Sequence, residues 1–437
     1  MAAEDIVRIA QDLIRIDTSN YGDQPGPGER LAAEYVAGLL SDLGLEPVIR
    51  ESEPGRATVV ALWEGVDSSR PPLVMHGHLD VVPAFPEEWS VDPFGADVID
   101  GVLWGRGAVD MKGIAAMYLA AVQRMVAAGR KPPRDIVIAF FADEEHGGAR
   151  GAKWMSANHP DDFRGSTGLM ATEAISEVGG FSVQVAGRRT YLIQTAEKGI
   201  QWLRLVAQGV QGHGSLVHSD NAVTHLAGAM SRIGGHQWPL DITPTAEHLL
   251  RGAAELMGLD YEPTEERVAE IVAGLGPVSR MIEASLRNTS NPTMLDAGYK
   301  VNVIPDAAQG YVDTRYLPGQ QEQVLRVIEE LAGTNVKVEP YIEERAMEFP
   351  FEAPIVAKMV TALRSVDADA VVLPYALMGG TDNKHLASLG IHGYGFAPLQ
   401  LPADLDFSSL FHAVDERVPV KSLEVGADVV ERFLLDC

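Results

Sequence analysis

The sequence has only one cysteine, Cys437, among its 437 residues. A single thiol cannot form a disulfide within the chain, and it cannot provide the several thiolates of a structural zinc site. We therefore expect no disulfide framework, and any metal site has to be built from other residue types.

Long apolar runs are also absent. No segment has the roughly 20 consecutive apolar residues that a membrane-spanning helix needs. Near the N-terminus, Asp5, Arg8, Asp12 and Arg15 interrupt the apolar residues, whereas a signal peptide has an uninterrupted apolar core. The sequence therefore predicts a cytoplasmic protein without a membrane partner.

Basic residues are scarce relative to acidic ones. The chain has 35 Lys and Arg against 61 Asp and Glu, which gives a formal net charge of -26. Nucleic acids and anionic membranes are polyanions, so this balance disfavours both as partners. The 46% of hydrophobic and 22% of charged residues are typical of a soluble globular protein. The length exceeds what one hydrophobic core usually supports, which predicts two domains.

What is present is an alternation of strand-like and helix-like segments. Strands are predicted at about 47–51, 57–63, 73–78, 135–141 and 168–172, and helical patterns lie at about 6–14, 29–40 and 112–128. This alternation predicts an α/β fold with a mainly parallel mixed sheet flanked by helices. In such sheets, ligands bind at the carboxyl ends of the strands.

Polar residues of metal-binding type follow several of these predicted strands or precede a predicted helix. The set comprises His78, Asp80, Asp110, Glu144, Glu145, Glu173 and, far downstream, His412. Each has an ordinary alternative explanation: an aspartate before a helix is usually an N-cap, an acidic pair after a strand a solvated loop, and a lone histidine a surface residue. The combination is more specific, because random placement rarely puts every such group at the end of an element.

This set matches the ligands of two divalent cations. Imidazole nitrogen and carboxylate oxygen bind such cations, and two cations about 3.5–4 Å apart need a bridging group to offset their repulsion. We predict Asp110 as the bridge, with His78 and Glu173 completing one site and Glu145 and His412 the other.

The same set suggests how an amide bond would be attacked. Three carboxylates against two dications leave one positive charge, which a bridging hydroxide would neutralise, and this hydroxide is the predicted nucleophile. Glu144, adjacent to a ligand but not needed as one, would take the proton of the bridging water and pass it to the leaving amine. Asp80 would hold and polarise the imidazole of His78.

Five ordered motifs resemble those of the M20 family of metallopeptidases, which includes aminoacylases, deacylases, carboxypeptidases and dipeptidases. They are GHLDVVP (77–83), GRGAVDMKG (105–113), FFADEEHGG (140–148), the Glu173 that follows LMAT, and FHAVDER (411–417). The resemblance implies a zinc-peptidase-like catalytic domain with an inserted smaller α+β lid and dimerisation domain, and a homodimer. It also implies two zinc ions, with cobalt or manganese as alternatives, the ligand set given above, Glu144 as general base and Asp80 as the orienting residue. A cis peptide is implied between Asp110 and Met111.

The middle of the chain resembles the lid of that family. Strands are expected within 191–208. His213 lies in a segment that resembles the family's glycine-histidine segment, which implies that it reaches across a dimer and stabilises the oxyanion in the neighbouring site. A surface-turn histidine is the alternative. Asn302 and Arg315 resemble substrate-contacting residues of the lid, and Arg315 has the alternative of an ordinary ion pair with Asp313.

A glycine-rich loop resembles the family's binding loop for the substrate carboxylate. It contains Gly379, Gly380 and Thr381, and small residues there would let backbone N–H groups approach an anion. A plain turn is the alternative. Residues 383–385 and 394–398, together with inserted helices predicted within 239–290, resemble the carboxypeptidase S-like branch of the family.

The resemblance also sets the expected domain boundaries. Residues 1–190 and 346–437 are expected to form the catalytic domain, and residues 191–345 the lid and dimerisation domain. Three helices are predicted within 239–290 and are interpreted as an insertion. They contain no candidate catalytic residues, and we expect them to enlarge the lid or to shape the substrate pocket.

The sequence as a whole predicts an enzyme. It would be a dinuclear metal-dependent hydrolase that cleaves an amide bond of a peptide or N-acyl amino acid with a free carboxylate. The alternative is a non-catalytic binding or assembly module with the same fold, which the retention of all ligand types and of Glu144 disfavours. A serine hydrolase is excluded because the chain has no G-x-S-x-G motif.

Overall fold

Strands and helices alternate along the first half of the chain, as the apolar pattern predicts. The computed structural model describes residues 2–437. The strands are β1 (Val48–Glu53), β2 (Arg56–Trp63), β3 (Leu73–His78), β4 (Val98–Ile99), β5 (Val102–Trp104), β6 (Ile136–Phe141), β7 (Glu173–Ser176), β8 (Phe181–Val185), β9 (Arg188–Glu197), β10 (Gly199–Gln208), β11 (Gly212–His213), β12 (Thr289–Ala297), β13 (Val303–Ile304), β14 (Ala307–Tyr316), β15 (Val336–Glu344), β16 (Met347–Glu348), β17 (Val371–Leu377), β18 (His392–Gly395) and β19 (Arg417–Pro419). The helices are α1 (Ala2–Arg15), α2 (Arg30–Asp42), α3 (Lys112–Ala127), α4 (Ala152–Asn158), α5 (Ala222–Gly234), α6 (Pro244–Met257), α7 (Glu265–Ala273), α8 (Ser279–Ser285), α9 (Gln321–Ala332), α10 (Pro354–Arg364), α11 (Asn383–Leu386) and α12 (Val420–Leu434). Within residues 2–437, no helix has the length and apolar character needed to cross a membrane.

A mixed sheet of ten strands forms the centre of the molecule. Its main order is β1-β2-β6-β3-β7-β18-β9-β16, and β8 and β17 also pair with β9. Parallel pairs join β3 to β6 and β7, β18 to β7, and β17 to β9. Antiparallel pairs add β1, β2, β8 and β16. The predicted α/β fold with a mixed central sheet is confirmed.

Helices cover the sheet so closely that its central strands are buried along their whole length. This holds for all six residues of β3 and of β6, which agrees with their continuous apolar sequence. The alanine-rich helix α3 is itself buried along most of its length. Its small side chains allow α1 and α12 to pack against it. The start of α3, next to Asp110, is therefore held firmly in the core.

The pairing register brings the ends of three strands to one edge of the sheet. His78, the last residue of β3, is level with Phe141, the last residue of β6. Leu73, the first residue of β3, is level with Glu173, the first residue of β7. Residues that follow β3, β6 and β7 therefore emerge together, whereas Glu173 lies at the opposite edge.

A second, smaller unit is built on a four-stranded antiparallel sheet with the order β12-β14-β10-β15. Helices α5 and α9 pack against this sheet, and the buried side chains form a core of their own that includes Leu203, Leu226, Val312 and Ile328. The short strands β11 and β13 pair separately. This unit corresponds to the small lid domain that the sequence predicts.

The inserted helices α6, α7 and α8 pack against the large sheet. Helices α6 and α8 contact β17, and Leu249, Leu250, Ile271 and Ile282 are buried in the core of the large domain. Of the two expectations for this segment, enlargement of the lid is therefore wrong, and a role in shaping the substrate pocket stays a prediction. Strand β9 also belongs to the large sheet, so the chain enters the small sheet only at β10 and returns at β16.

Replacing Leu250 with alanine is expected to lower the free energy of unfolding by about 2–5 kcal/mol, because a fully buried side chain would leave a cavity. Chemical denaturation of the variant and the wild type measures this difference. Leu31→Ala is the matched control, because Leu31 is 66% exposed, and it should change stability by less than about 0.5 kcal/mol. Equally small effects at both positions would contradict the packing of α6 into the large core.

Candidate metal centre

His78 stands at the end of β3 with one ring nitrogen fixed and the other facing two carboxylates. Its Nδ1 lies 2.9 Å from the backbone oxygen of Asp80. Its Nε2 lies 3.0 Å from Oδ1 of Asp110 and 3.2 Å from Oε2 of Glu177. A proton on Nδ1, donated to the carbonyl, leaves the lone pair of Nε2 directed at the carboxylates, which is the usual arrangement of a metal-binding histidine.

Asp80 orients more of the site than the imidazole alone. Its carboxylate lies 3.5 Å from Nδ1 of His78, so the carbonyl makes the shorter contact. The same carboxylate accepts hydrogen bonds from the backbone N–H groups of Glu144 and Glu145, each at 3.1 Å. The side chain of Asn20 donates to it at 2.8 Å. Asp80 therefore connects the end of β3 to the turn after β6, a link that the sequence did not reveal.

Asp110 occupies a bridging position between two histidines. Its Oδ1 lies 3.0 Å from Nε2 of His78, and its Oδ2 lies 3.2 Å from Nε2 of His412. It does not cap the following helix, because the N-cap residue of α3 is Met111 and no side chain accepts a hydrogen bond there. The peptide bond between Asp110 and Met111 is cis, as the family resemblance implies.

Glu416 holds the segment that carries Asp110. One oxygen of its buried carboxylate accepts the N–H groups of Val109 and Asp110, at 2.6 and 2.9 Å. The other accepts the N–H of Gly107 at 3.1 Å and a guanidinium N–H of Arg106 at 2.6 Å. Because Glu416 lies four residues after His412, it ties the two ligand-bearing segments together. Apart from the position of Glu416 within the FHAVDER motif, no sequence pattern indicated this role.

His412 and Glu145 complete the second group around Asp110. Nε2 of His412 lies 3.0 Å from Oε2 of Glu145. The other oxygen of Glu145 accepts the N–H of Val82 at 3.2 Å. His412 has a positive φ of 59° and a side chain that is 55% exposed. Its loop therefore projects the imidazole over the site from the solvent side.

The structure assembles these residues into two triads that share one member. The first contains His78, Asp110 and Glu177, and the second contains Asp110, Glu145 and His412. Within each triad the potential ligand atoms lie within 4.8 Å of one another. Neutral imidazoles and carboxylates fit divalent cations of the zinc, cobalt or manganese type, so this donor set fits the pair of metal ions that the sequence predicts.

The electrostatics of the cluster favour bound cations. Burial, and then the charge of Asp110, raises the pKa of Glu145 to about 7. Burial also raises the pKa of Glu177. Contacts with Asp110 and Glu145 raise the pKa of His412 to about 10. Two glutamates that ionise with difficulty and a histidine that retains its proton both indicate an excess of negative charge in the cluster. Dications would neutralise this charge.

Glu173 does not join the cluster, and the prediction that it is a ligand is wrong. Its carboxylate pairs with Arg134 at 2.7 Å, at the far edge of the sheet. The sequence reading placed a strand at 168–172, but the strand is β7, so Glu173 begins it and Glu177 follows it. The available signal was the acidic residue after the buried pair Ile175 and Ser176. Leu169 lies within the predicted strand but is 41% exposed. Its apolar side chain therefore did not indicate a buried strand.

His213 and Asn302 lie together on the small domain, apart from the triads. His213 is exposed, and its Nδ1 lies 2.8 Å from Oγ of Ser215. The backbone oxygen of Asn302 accepts the N–H of Gly214 at 2.9 Å. Arg315 forms two hydrogen bonds with Asp313, at 2.7 and 3.0 Å, which is the ion-pair alternative named for it above.

The glycine-rich loop does not offer all the donors predicted for it. The backbone N–H of Thr381 donates to Oε2 of Glu197 at 3.0 Å, and its hydroxyl donates to the other oxygen of the same carboxylate. Glu197 is buried. Thr381 is thus already paired with an internal anion and is not free to bind a substrate carboxylate, whereas Gly379 and Gly380 remain partly exposed.

Sequence comparison adds to this geometry. The profile of Peptidase family M20/M25/M40 matches residues 74–436. The chain belongs to this family. It is therefore a hydrolytic enzyme of the class that acts on peptide or amide bonds.

Individual relatives and solved structures agree with this family assignment. A carboxypeptidase S-like protein of Dictyostelium discoideum is 29% identical over 386 residues, which cover 85% of this chain and 72% of that protein. Aminoacylase-1 of Sus scrofa is 26% identical, over 98% of this chain and 94% of its own. The structure of an M20 family metallo-carboxypeptidase from Sulfolobus solfataricus has the same fold, with a TM-score of 0.73, 18% identity and 98% coverage of both chains.

The variant Glu177→Ala is expected to lose about one metal equivalent per chain, because it removes one ligand from the first triad. Elemental analysis after loading with zinc and gel filtration measures this content. Glu173→Ala is the matched control, and it should keep the wild-type metal content, since Glu173 pairs with Arg134. Loss of metal in the Glu173 variant together with full retention in the Glu177 variant would reverse the assignment.

Proposed function

We propose that the protein is a dinuclear metal-dependent hydrolase that cleaves an amide bond of a peptide or N-acyl amino acid with a free carboxylate. The main support is the pair of donor triads that share Asp110. A carboxylate whose two oxygens face two separate histidines, at 3.0 and 3.2 Å, suits a bridge between two cations. The names of relatives support the substrate class, since they include an aminoacylase, a carboxypeptidase S-like protein and an N-fatty-acyl-amino acid synthase/hydrolase of Bos taurus.

His78, Asp110 and Glu177 would hold one cation, and Asp110, Glu145 and His412 the other. When bound, two such cations supply Lewis acidity that polarises the amide carbonyl and lowers the pKa of water. Zinc is the proposed native metal, with cobalt and manganese as alternatives, because all three accept imidazole and carboxylate ligands. The cytoplasmic location stays a prediction of the sequence.

Glu144 is the proposed proton carrier. It belongs to neither triad but adjoins Glu145, and Asp80 fixes its backbone N–H at 3.1 Å. Burial, and next the charge of Glu177, raises the pKa of its carboxyl well above the usual value. A carboxylate of raised pKa is a stronger base, so an oxygen of Glu144 can take a proton from the attacking water and deliver it to the nitrogen of the leaving amine.

His213 is proposed to act across a homodimer. Its exposure on the small domain, outside the triads, leaves its Nε2 available to a neighbouring chain. Strand β12 lies at the edge of the small sheet, and Met294 and Leu295 on it are 64% and 56% exposed. An edge strand with exposed apolar residues suits pairing with a second copy. In such a dimer, His213 would stabilise the oxyanion of the tetrahedral intermediate.

The variant Glu144→Ala is expected to keep its metals and to lower kcat by about 10²–10⁴-fold, because it removes only the proton carrier. Elemental analysis and a hydrolysis assay measure the two quantities. The substrates are a panel of dipeptides and N-acyl amino acids, offered to chelator-stripped protein that has been reloaded with zinc, cobalt or manganese. Equal activity of the variant and the wild type would refute the role of Glu144. Full activity of the stripped protein would refute the metal-dependent mechanism.

The variant His213→Ala is expected to lower kcat by about 10²–10³-fold, because it removes one oxyanion donor. If His213 acts across a dimer, mixing this variant with Glu144→Ala after dissociation and reassociation should restore activity, since one site of each mixed dimer would be intact. Assays of the mixed and the separate variants, with the mass measured by light scattering, test this. A His213 variant with wild-type kcat, or a monomeric protein, would contradict the proposal.

A further inference from the structure

A buried ion pair connects the two domains next to the proposed active site. Lys384 belongs to α11 of the large domain, and Glu344 is the last residue of β15 in the small domain. Their side chains form an ion pair and are only 6% and 7% exposed. Few lysines are so deeply buried in proteins, because desolvation of a charge is costly even when the charge is paired.

The ion pair lies between the turn of Glu144 and the glycine-rich loop. A Cβ built on Gly147 would lie 2.8 Å from Oε1 of Glu344, and a Cβ built on Gly380 would lie 2.9 Å from Nζ of Lys384. The N–H of Gly147 donates to the backbone oxygen of Glu144 at 2.8 Å. The charges of Glu344 and Glu144 both raise the pKa of Lys384. The ammonium group is thus positioned beside the proton carrier.

The same two residues line an open cavity of about 310 Å³ at the junction of the domains. Its charged and titratable lining residues are Lys153, Glu343, Glu344, Arg345, Lys384 and His385. Burial, and then the charge of Lys384, lowers the pKa of His385 to about 3, so this ring is neutral. Three cations therefore face two carboxylates. Lys153 and Arg345 are exposed and form no ion pair within residues 2–437, which leaves the cavity suited to an anion.

Other candidates for binding the substrate carboxylate are already paired. Thr381 donates to Glu197, and Arg315 is held by Asp313. Lys384 is paired as well, but its partner is a carboxylate that reaches across from the other domain. A substrate carboxylate is the same chemical group as the side chain of Glu344. An exchange of one for the other would keep Lys384 neutralised, and Glu344 could turn to Lys153 in the same cavity.

We propose that Lys384 binds the free carboxylate of the substrate, and that Glu344 occupies this position until the substrate displaces it. The inference rests on the proposed function, and it names the residue that makes the enzyme select substrates with a free carboxylate. Lys384 would act as a substrate-binding residue. Glu344 would act as an internal competitor that leaves Lys384 when the substrate binds between the two domains.

The test compares the best free-acid substrate from the panel with the same compound carrying a primary amide in place of the carboxyl. Lys384→Met should raise KM for the acid by about 10- to 100-fold and leave KM for the amide unchanged, because one charge-assisted contact is lost. Glu344→Gln should lower KM for the acid, because the competitor is gone. Both changes break the same ion pair, so a purely structural role predicts that both impair the enzyme alike.

Two further variants secure the interpretation. The double variant of Lys384→Met and Glu344→Gln leaves no unpaired buried charge, so it should fold even if Lys384→Met does not, and it should show the same loss of acid preference. Lys421→Met is the matched control, because Lys421 is 79% exposed and pairs with Glu424. Thermal unfolding monitors the fold of each protein.

The outcomes separate this inference from the proposed function. Suppose that the wild type hydrolyses the panel and that the ratio of KM values for acid and amide is the same in the Lys384 variants as in the wild type. The role of Lys384 is then refuted, and the proposed hydrolase function is not affected. Calorimetric binding of the same acid and amide to metal-loaded Glu144→Ala protein reports the preference without turnover. Equal affinity of this protein for the acid and the amide would overturn the inference even if no substrate were cleaved.

Discussion

The structure depends on the placement of three carboxylates where mutual repulsion would normally keep them apart. Asp110, Glu145 and Glu177 converge on two histidines at the carboxyl edge of the large sheet. Burial raises the pKa of Glu145 and of Glu177, and the charge of Asp110 adds to both shifts, whereas the two histidines lower the pKa of Asp110. Bound dications would remove this conflict, because each would neutralise charge that the fold alone cannot. The family assignment agrees with this physical reading, since the matched profile spans the segments that supply all of these residues.

The ligands are held by hydrogen bonds between segments that are distant in the chain. Asp80 receives the N–H groups of Glu144 and Glu145, and Glu416 receives those of Val109 and Asp110. Both are anchored carboxylates, and each orients a turn rather than a single side chain. Backbone groups fixed in this way cost little entropy when metal binds, so the site is largely formed in advance. The packing of α3 between α1 and α12 provides the rigid base.

The small domain contributes to selection rather than to the metal cluster. It presents His213 on an exposed strand and extends Glu344 into the large domain. In the proposed mode of binding, Lys384 and not the glycine-rich loop supplies the main partner of the substrate carboxylate. This mode would also couple substrate binding to the position of the small domain, because displacement of Glu344 releases a buried link between the two units.

The sequence by itself determined the α/β class, the start of α3 after Asp110, and four of the five residues that form the triads. This was possible because buried parallel strands have continuous apolar sequences, so the polar residues at their ends are easily recognised. Only the tertiary structure decided for Glu177 over Glu173, because β7 ends at residue 176 rather than 172, and this four-residue difference exchanges the two edges of the sheet. Three further contacts could not be inferred from the sequence. They are the packing of the inserted helices on the large sheet, the hydrogen bonds from Thr381 to Glu197, and the ion pair of Lys384 with Glu344. These contacts join residues far apart in the chain, and a local pattern carries no information about which distant partner a side chain will meet.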